Sequence, residues 1–206
     1  MDEARSIREF WFGRLPLSAD DLNRRIRFWF GGDTTELGRL RDEHMRARFG
    51  ELLELAASGD LANWADGPRR RLSLILLLDQ FPRNMFRGSP RAFAHDAQAL
   101  ALTLSGMQSA ADAALDVVER MFFYMPLQHA ESPEAQDESV AAYRRLLAEA
   151  PQELRGPFGG ASRSAENHRA IIERFGRFPY RNRVLGRAST AAEEEWLRKG
   201  GERFGQ

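Results

Sequence analysis

Apolar residues recur along this chain at spacings of three and four, and almost nowhere in the alternation that marks a strand. Leu22, Ile26 and Trp29 make one stripe; Phe49, Leu52, Leu53 and Ala56 make another. Phe93, Ala97, Leu100 and Leu104 follow, and Gln136, Val140, Tyr143 and Leu147 repeat that spacing with one polar member. Leu115, Val118, Phe122 and Met125 predict a helix that stops at Pro126, because a proline restricts the residue before it. The 72–78 segment is apolar all round, which predicts a central helix buried on every side.

Local punctuation supports the same reading. Asp33 to Glu36 resembles a capping box, and Gly59 falls where a left-handed C-terminal cap belongs. Ser89-Pro90 and Ser132-Pro133 each offer an N-cap followed by proline in the first turn. Thr190 and Glu193 form a capping box, with Gly200-Gly201 closing the helix that follows. The stretch RGPFGGASRS at 155–164 reads as a surface loop. About nine helices in one all-α domain, residues 1–206, result.

Composition strengthens the fold class. Only four valines, five isoleucines and four threonines occur in 206 residues, and these β-branched types are the ones strands favour. The formal net charge of +0 gives no bulk attraction to nucleic acid or to an acidic membrane. Lys199 is the one lysine, so 29 of the 30 basic residues (30 − 1) are arginine, a bias that discounts arginine abundance as a functional signal. There is no cysteine, which removes disulfides and thiol catalysis. The longest apolar run, 74–78, is too short to span a bilayer, and the charged N-terminus lacks a signal-peptide core, so a cytoplasmic location is expected.

Candidate chemistry gathers around one repeated word. Phe-Pro-Arg-Asn occupies 81–84, and Phe-Pro-Tyr-Arg-Asn occupies 178–182. The copies lie 97 residues apart (178 − 81), far from the ~34-residue period of a tetratricopeptide array, and predict two similar helix ends beside one site. Asp79, just before the first word, requires a cation, from Arg83 or from elsewhere, and the prediction is that an arginine of the second word, Arg181, answers it. It is either a fixed ion pair or a carboxylate positioned in a pocket. His168 shares an apolar stripe with Ile171, Ile172 and Phe175 and reads as a core histidine or a site residue. Arg174, Arg177, Arg181 and Asn182 could clamp a phosphate or carboxylate, or be paired structurally. His129 and Glu131 stand on an irregular link after Pro126, where polar residues are better site candidates than on a helix surface. Their spacing matches no metal motif, and no phosphate loop, dinucleotide fingerprint or nucleophile elbow occurs, so no cofactor is implied.

Several long words together resemble a known family. LLLDQFPRNMFRG (76–88), FYMPLQHAES (123–132), NHRAIIERFGRFPYRN (167–182) and LGRAST (185–190), with EFWFG (9–13) and GDLANWADGP (59–68), are similar to the bacterial DUF924 family, over nearly the whole chain. The resemblance implies a tetratricopeptide-like fold of antiparallel helix pairs and supplies no catalytic residues. Two functions remain open. In one, a concave groove lined by Asp79, Arg83, Asn84, His129, Arg177, Arg181 and Asn182 binds an anionic small molecule or a carboxylate-bearing peptide. In the other, the same cluster serves a cofactor-independent hydrolase or lyase, with Asp79 or His129 as base. No nucleic-acid or membrane partner is implied, and a protein partner stays open.

Overall fold

A computed structural model describes residues 2–30 and 36–202, so the Asp33 capping box lies outside the described residues. Among the described residues there is no strand. The helices are α1 (Glu3–Phe12), α2 (Ala19–Phe30), α3 (Glu36–Ser58), α4 (Pro68–Ile75), α5 (Phe81–Met85), α6 (Asp96–Gln108), α7 (Val117–Phe123), α8 (Met125–His129), α9 (Pro133–Glu149), α10 (Arg155–Phe175) and α11 (Ala191–Arg198). A π-helical segment, Leu76–Gln80, joins α4 to α5 without interruption, and α7 and α8 part only at Tyr124. Among the described residues the eleven segments therefore form nine rods (11 − 2), all of them helical.

The central rod explains how the chain passes its first Phe-Pro word. In a regular α-helix Pro82 would lack an N–H and would crowd the carbonyl four residues before it. Here the helix widens instead: the Phe81 N–H reaches back five residues to the Leu76 carbonyl. The first word therefore does not end the helix, which runs on to Met85, and Asp79 lies inside a rod, not at its C-terminus. Every residue from 72 to 85 is buried. Around the rod stands an aromatic layer. Trp29 meets Phe122 at a ring separation of 4.5 Å and donates its indole N–H to the Trp11 carbonyl at 2.9 Å. Trp11 packs against Phe81 at 5.6 Å.

Several caps fall where local sequence places them. Gly59 and Gly200 are left-handed, with φ of +89° and +87°. Ser132 accepts from the Ala135 N–H, and the Thr190–Glu193 capping box is complete. Other expectations are corrected. The 155–164 stretch is no loop but the first half of α10, where Phe158 and Ala165 are buried and Pro157 sits in the first turn, needing no N–H. The chain after Pro126 does not become irregular, because proline is tolerated in the opening turn of α8. α9 and α10 run antiparallel: Arg144 pairs with Glu166, and Arg169 with Asp137 further back.

The stripe expected on α6 faces the wrong way. Ala99, Thr103 and Gly106 point inward, whereas Leu104 is 38% exposed. Close approach to α4 and to the α7–α8 junction selects this small face: the Thr103 hydroxyl donates to the Phe123 carbonyl at 2.9 Å, and a Cβ on Gly106 would stand 2.5 Å from Phe123 Cζ and 2.8 Å from Arg71 Cδ. Gly106→Ala is therefore expected to lower stability by about 1–3 kcal/mol through overpacking, although helix propensity alone favours alanine by about 1 kcal/mol. Urea unfolding of the variant decides between the two: a gain would mean that Phe123 and Arg71 do not approach Gly106 this closely.

Candidate functional site

A cavity of about 550 Å³ opens between the central rod and α10. One wall is a strip of α10 in which Pro157, Gly160, Ala161, Ser164 and His168 succeed one another at helical spacing. Their short side chains leave that wall bare. Near Pro157 the lining is apolar, with Ile26, Trp29 and Phe30 from α2, which packs beside the segment leading into α10. Met121 and Met125 add to the apolar lining. Near His168 it is polar, with His129, Arg83 and Arg181. At 1.5 Å per residue the strip from Pro157 to His168 is ~16 Å long.

The polar end rests on Asp79, which is fully buried beneath it. His129 Nδ1 lies 2.6 Å from Asp79 Oδ1, Gln80 donates its amide to Asp79 Oδ2 at 2.6 Å, and Arg83 stands 3.1 Å away. Burial alone would push the Asp79 carboxyl up, but Arg83, His129 and Gln80 together hold it well below the usual carboxylate range. His129 is pushed the other way, mainly by burial and then by Arg83, against the pull of Asp79, so its ring is neutral at pH 7. A neutral imidazole beside an ionised carboxylate carries its proton on Nδ1, donates it to Asp79, and leaves Nε2 as an acceptor. The His129 side chain is 14% exposed and lines the cavity.

A second carboxylate, Asp96 at the start of α6, links the two Phe-Pro words. Arg83 donates to both its oxygens at 2.8 Å, and Arg181 donates to Asp96 Oδ2 at 3.2 Å. Asp79 is thus answered by Arg83 of its own word, and the expected Asp79–Arg181 pairing is replaced by Arg181–Asp96. Arg181 is held between the Phe93 and Phe178 rings, 4.6 and 4.5 Å from their centroids. Its Nε is buried with no hydrogen-bond partner among the described residues. His168 donates its Nδ1–H to the Ser164 carbonyl at 2.8 Å, and burial pushes its pKa down to about 3.

Of the residues singled out in the sequence, Arg83, Asn84, His129, His168 and Arg181 line the cavity, and Asp79 supports it from below. The rest do not. Arg177 clamps Glu193 through two nitrogens at 2.7 and 2.9 Å, and Asn182 donates to the same carboxylate, so both anchor α11. Glu131 accepts from the Phe178 N–H and pairs with Arg187. Arg174 is exposed and stacks over Phe175. Sequence reasoning missed Asp96, Gln80, Gln128, Tyr143, Ser164 and Tyr180. Asp96 stands after a 3₁₀ turn and Ser164 inside the supposed loop, and no local pattern connects either to the words they serve.

A family model described as "Bacterial protein of unknown function (DUF924)" matches residues 7–201. Among solved structures the chain is similar to a protein of unknown function from Agrobacterium tumefaciens, at 34% identity and a TM-score of 0.79 over 96% of this chain and 98% of that one. No curated protein matches it. No helix among the described residues is long and apolar enough to cross a membrane.

Two outcomes test this geometry. A double-mutant cycle of Asp96→Asn with Arg181→Ala is expected to show coupling of about 1–3 kcal/mol, larger than the cycle of Asp79→Asn with Arg181→Ala. The reverse order would mean that the second word answers Asp79 directly. The Glu193 carboxyl is held down to about 2, chiefly by Arg177. A depressed carboxylate stabilises the fold above its ordinary pKa and loses that contribution as pH falls through the folded value. Glu193→Gln should cost about 2 kcal/mol at pH 7, and the gap from wild type should shrink as pH drops below about 4.5, read by urea unfolding at each pH.

Proposed function

The chain belongs to the bacterial DUF924 family, and from its cavity we propose that it binds a small organic anion with an apolar body. The observation carrying this reading is the buried Arg181 guanidinium, which lines the cavity and, among the described residues, forms one ion pair, through Nη1 to Asp96. Stacking between Phe93 and Phe178 fixes it, so its spare donors are aimed rather than free to turn to water. Arg83, in contrast, is occupied by Asp79 and Asp96.

Two sets of ion pairs stand at the polar end: Arg83 and Arg181 face Asp79 and Asp96, and Arg41 and Arg87 share Asp42. The remaining lining, from Trp29 and Phe30 to Met121 and Met125, suits a hydrocarbon or aryl body. A volume of about 550 Å³ fits a small molecule better than a peptide.

Decanoate is the first probe. Near 100 times its dissociation constant it is expected to add about 2.7 kcal/mol, roughly 5–10 °C in melting temperature for a chain of this size. Arg181→Ala should lose the shift, and decanol should bind more weakly than decanoate. An equal response to decanol, or none to either compound, would refute the anion site.

A further inference from the structure

We propose that the same chamber hydrolyses esters of such amphipathic acids, with His129 as general base toward water; this rests on the binding reading, because the acid bound would be the product. The argument starts from what His129 lacks. Its Nδ1 is taken by the fully buried Asp79, and Nε2, on the opposite side of the ring, has no partner among the described residues. The ring lines the cavity. A carboxylate that holds an imidazole in one tautomer, with the acceptor nitrogen turned to an open chamber, is the arrangement that lets a histidine take a proton.

No hydroxyl among the described residues hydrogen-bonds His129. Ser164, the serine lining the cavity, donates to Gln128 Oε1 at 3.3 Å. Water is therefore the nucleophile. The electrophilic side comes from Arg181. The His168 ring lies 6.3 Å from the His129 ring and 5.6 Å from Phe178, on which the Arg181 guanidinium stacks, so base and guanidinium flank one histidine. The Arg181 guanidinium, which lines the cavity, is the donor that would meet a carbonyl oxygen as it gains charge.

The step balances without a cofactor. A water oxygen bonds to the ester carbonyl carbon while its proton passes to His129 Nε2, and the carbonyl oxygen becomes an oxyanion against Arg181. The intermediate collapses, the carbon–oxygen bond to the alcohol breaks, and the alkoxide takes the proton from His129. The products are the alcohol and the carboxylic acid, which ionises and remains against Arg181. Asp79 touches neither water nor ester; it is a positioning residue that acts through the imidazole.

The test uses the full chain with p-nitrophenyl decanoate, and calorimetry with decanoate on each variant. Turnover should saturate, and His129→Gln should lower kcat/KM by about a hundredfold or more with decanoate affinity unchanged. Asp79→Asn should lower kcat and move the acid limb of the rate to lower pH, since the carboxylate that raises the His129 pKa is gone; a merely structural role would leave the limb in place. The wild-type profile needs no variant: its acid limb should fall below pH 6.5, and a rate simply proportional to hydroxide would overturn the proposal. Equal hydrolysis by His129→Gln and wild type, with decanoate bound by both, overturns hydrolysis and leaves the binding reading standing. Neither binding nor turnover overturns both. Turnover that depends on His129 without decanoate binding supports the base and refutes the anion site.

Discussion

A carboxylate with no solvent contact in the middle of the most apolar helix is the constraint around which this fold is arranged. Leaving Asp79 ionised and alone there would cost several kcal/mol, so the surroundings must supply charge and donors together. Arg83 provides the charge from one turn ahead, and Gln80 and His129 provide the donors. Because Arg83 alone carries more donors than Asp79 can accept, it recruits Asp96 from α6, and Asp96 in turn draws in Arg181 from beyond α10. One buried charge thereby ties three other parts of the chain to the central rod, at His129, Asp96 and Arg181.

The two Phe-Pro words serve that arrangement by different physics. In the first, proline is absorbed by π-helical widening, and the side chains of Arg83 and Asn84 turn back to the carbonyls of Asp79 and Gln80, at 2.8 Å each. Such widened turns are concentrated at functional sites because they re-aim side chains without ending the helix. In the second, Gly176 closes α10 with a left-handed residue at φ +69°, and the 3₁₀ turn Pro179–Arg181 presents Arg181 inward while Arg177 and Asn182 face Glu193. One word shapes the floor of the cavity and the other supplies Tyr180 and Arg181 to it.

What the sequence made legible was local. Capping residues such as Ser132 and Thr190, left-handed glycines and the burial of 72–78 rest on interactions within a few residues, and those held. Readings that depended on a neighbouring helix did not hold. Leu104 completes a good apolar period, yet α6 turns Thr103 and Gly106 inward because Phe123 and Arg71 stand too close for a larger side chain. Gly156, Gly159 and Gly160 read as loop residues, whereas all three lie in α10, where Gly160, Ala161 and Ser164 keep the cavity wall open. The identity of the Arg181 partner was hidden for the same reason: Asp96 is 85 residues away and carries no motif of its own. Types of residue at the site could be read; their pairing required the fold.

The same contrast bears on why the polar end exists. The second word shows how this chain fastens a helix end: Arg177, Asn182 and Glu193 satisfy one another beside α11 and leave no chamber between them. Around His129 the construction differs. A void of about 550 Å³ adjoins the core, one imidazole nitrogen is turned to it, and a stacked guanidinium keeps a donor unused. Unfilled volume and unspent donors each subtract from stability, by lost packing and by desolvation without a partner. Natural proteins retain such local losses where a site must be held ready for a ligand, since the groups that would satisfy it from within are the ones that would block it. Fastening accounts for Glu193 and Asp96. It does not account for the face that His129 and Arg181 turn toward the cavity.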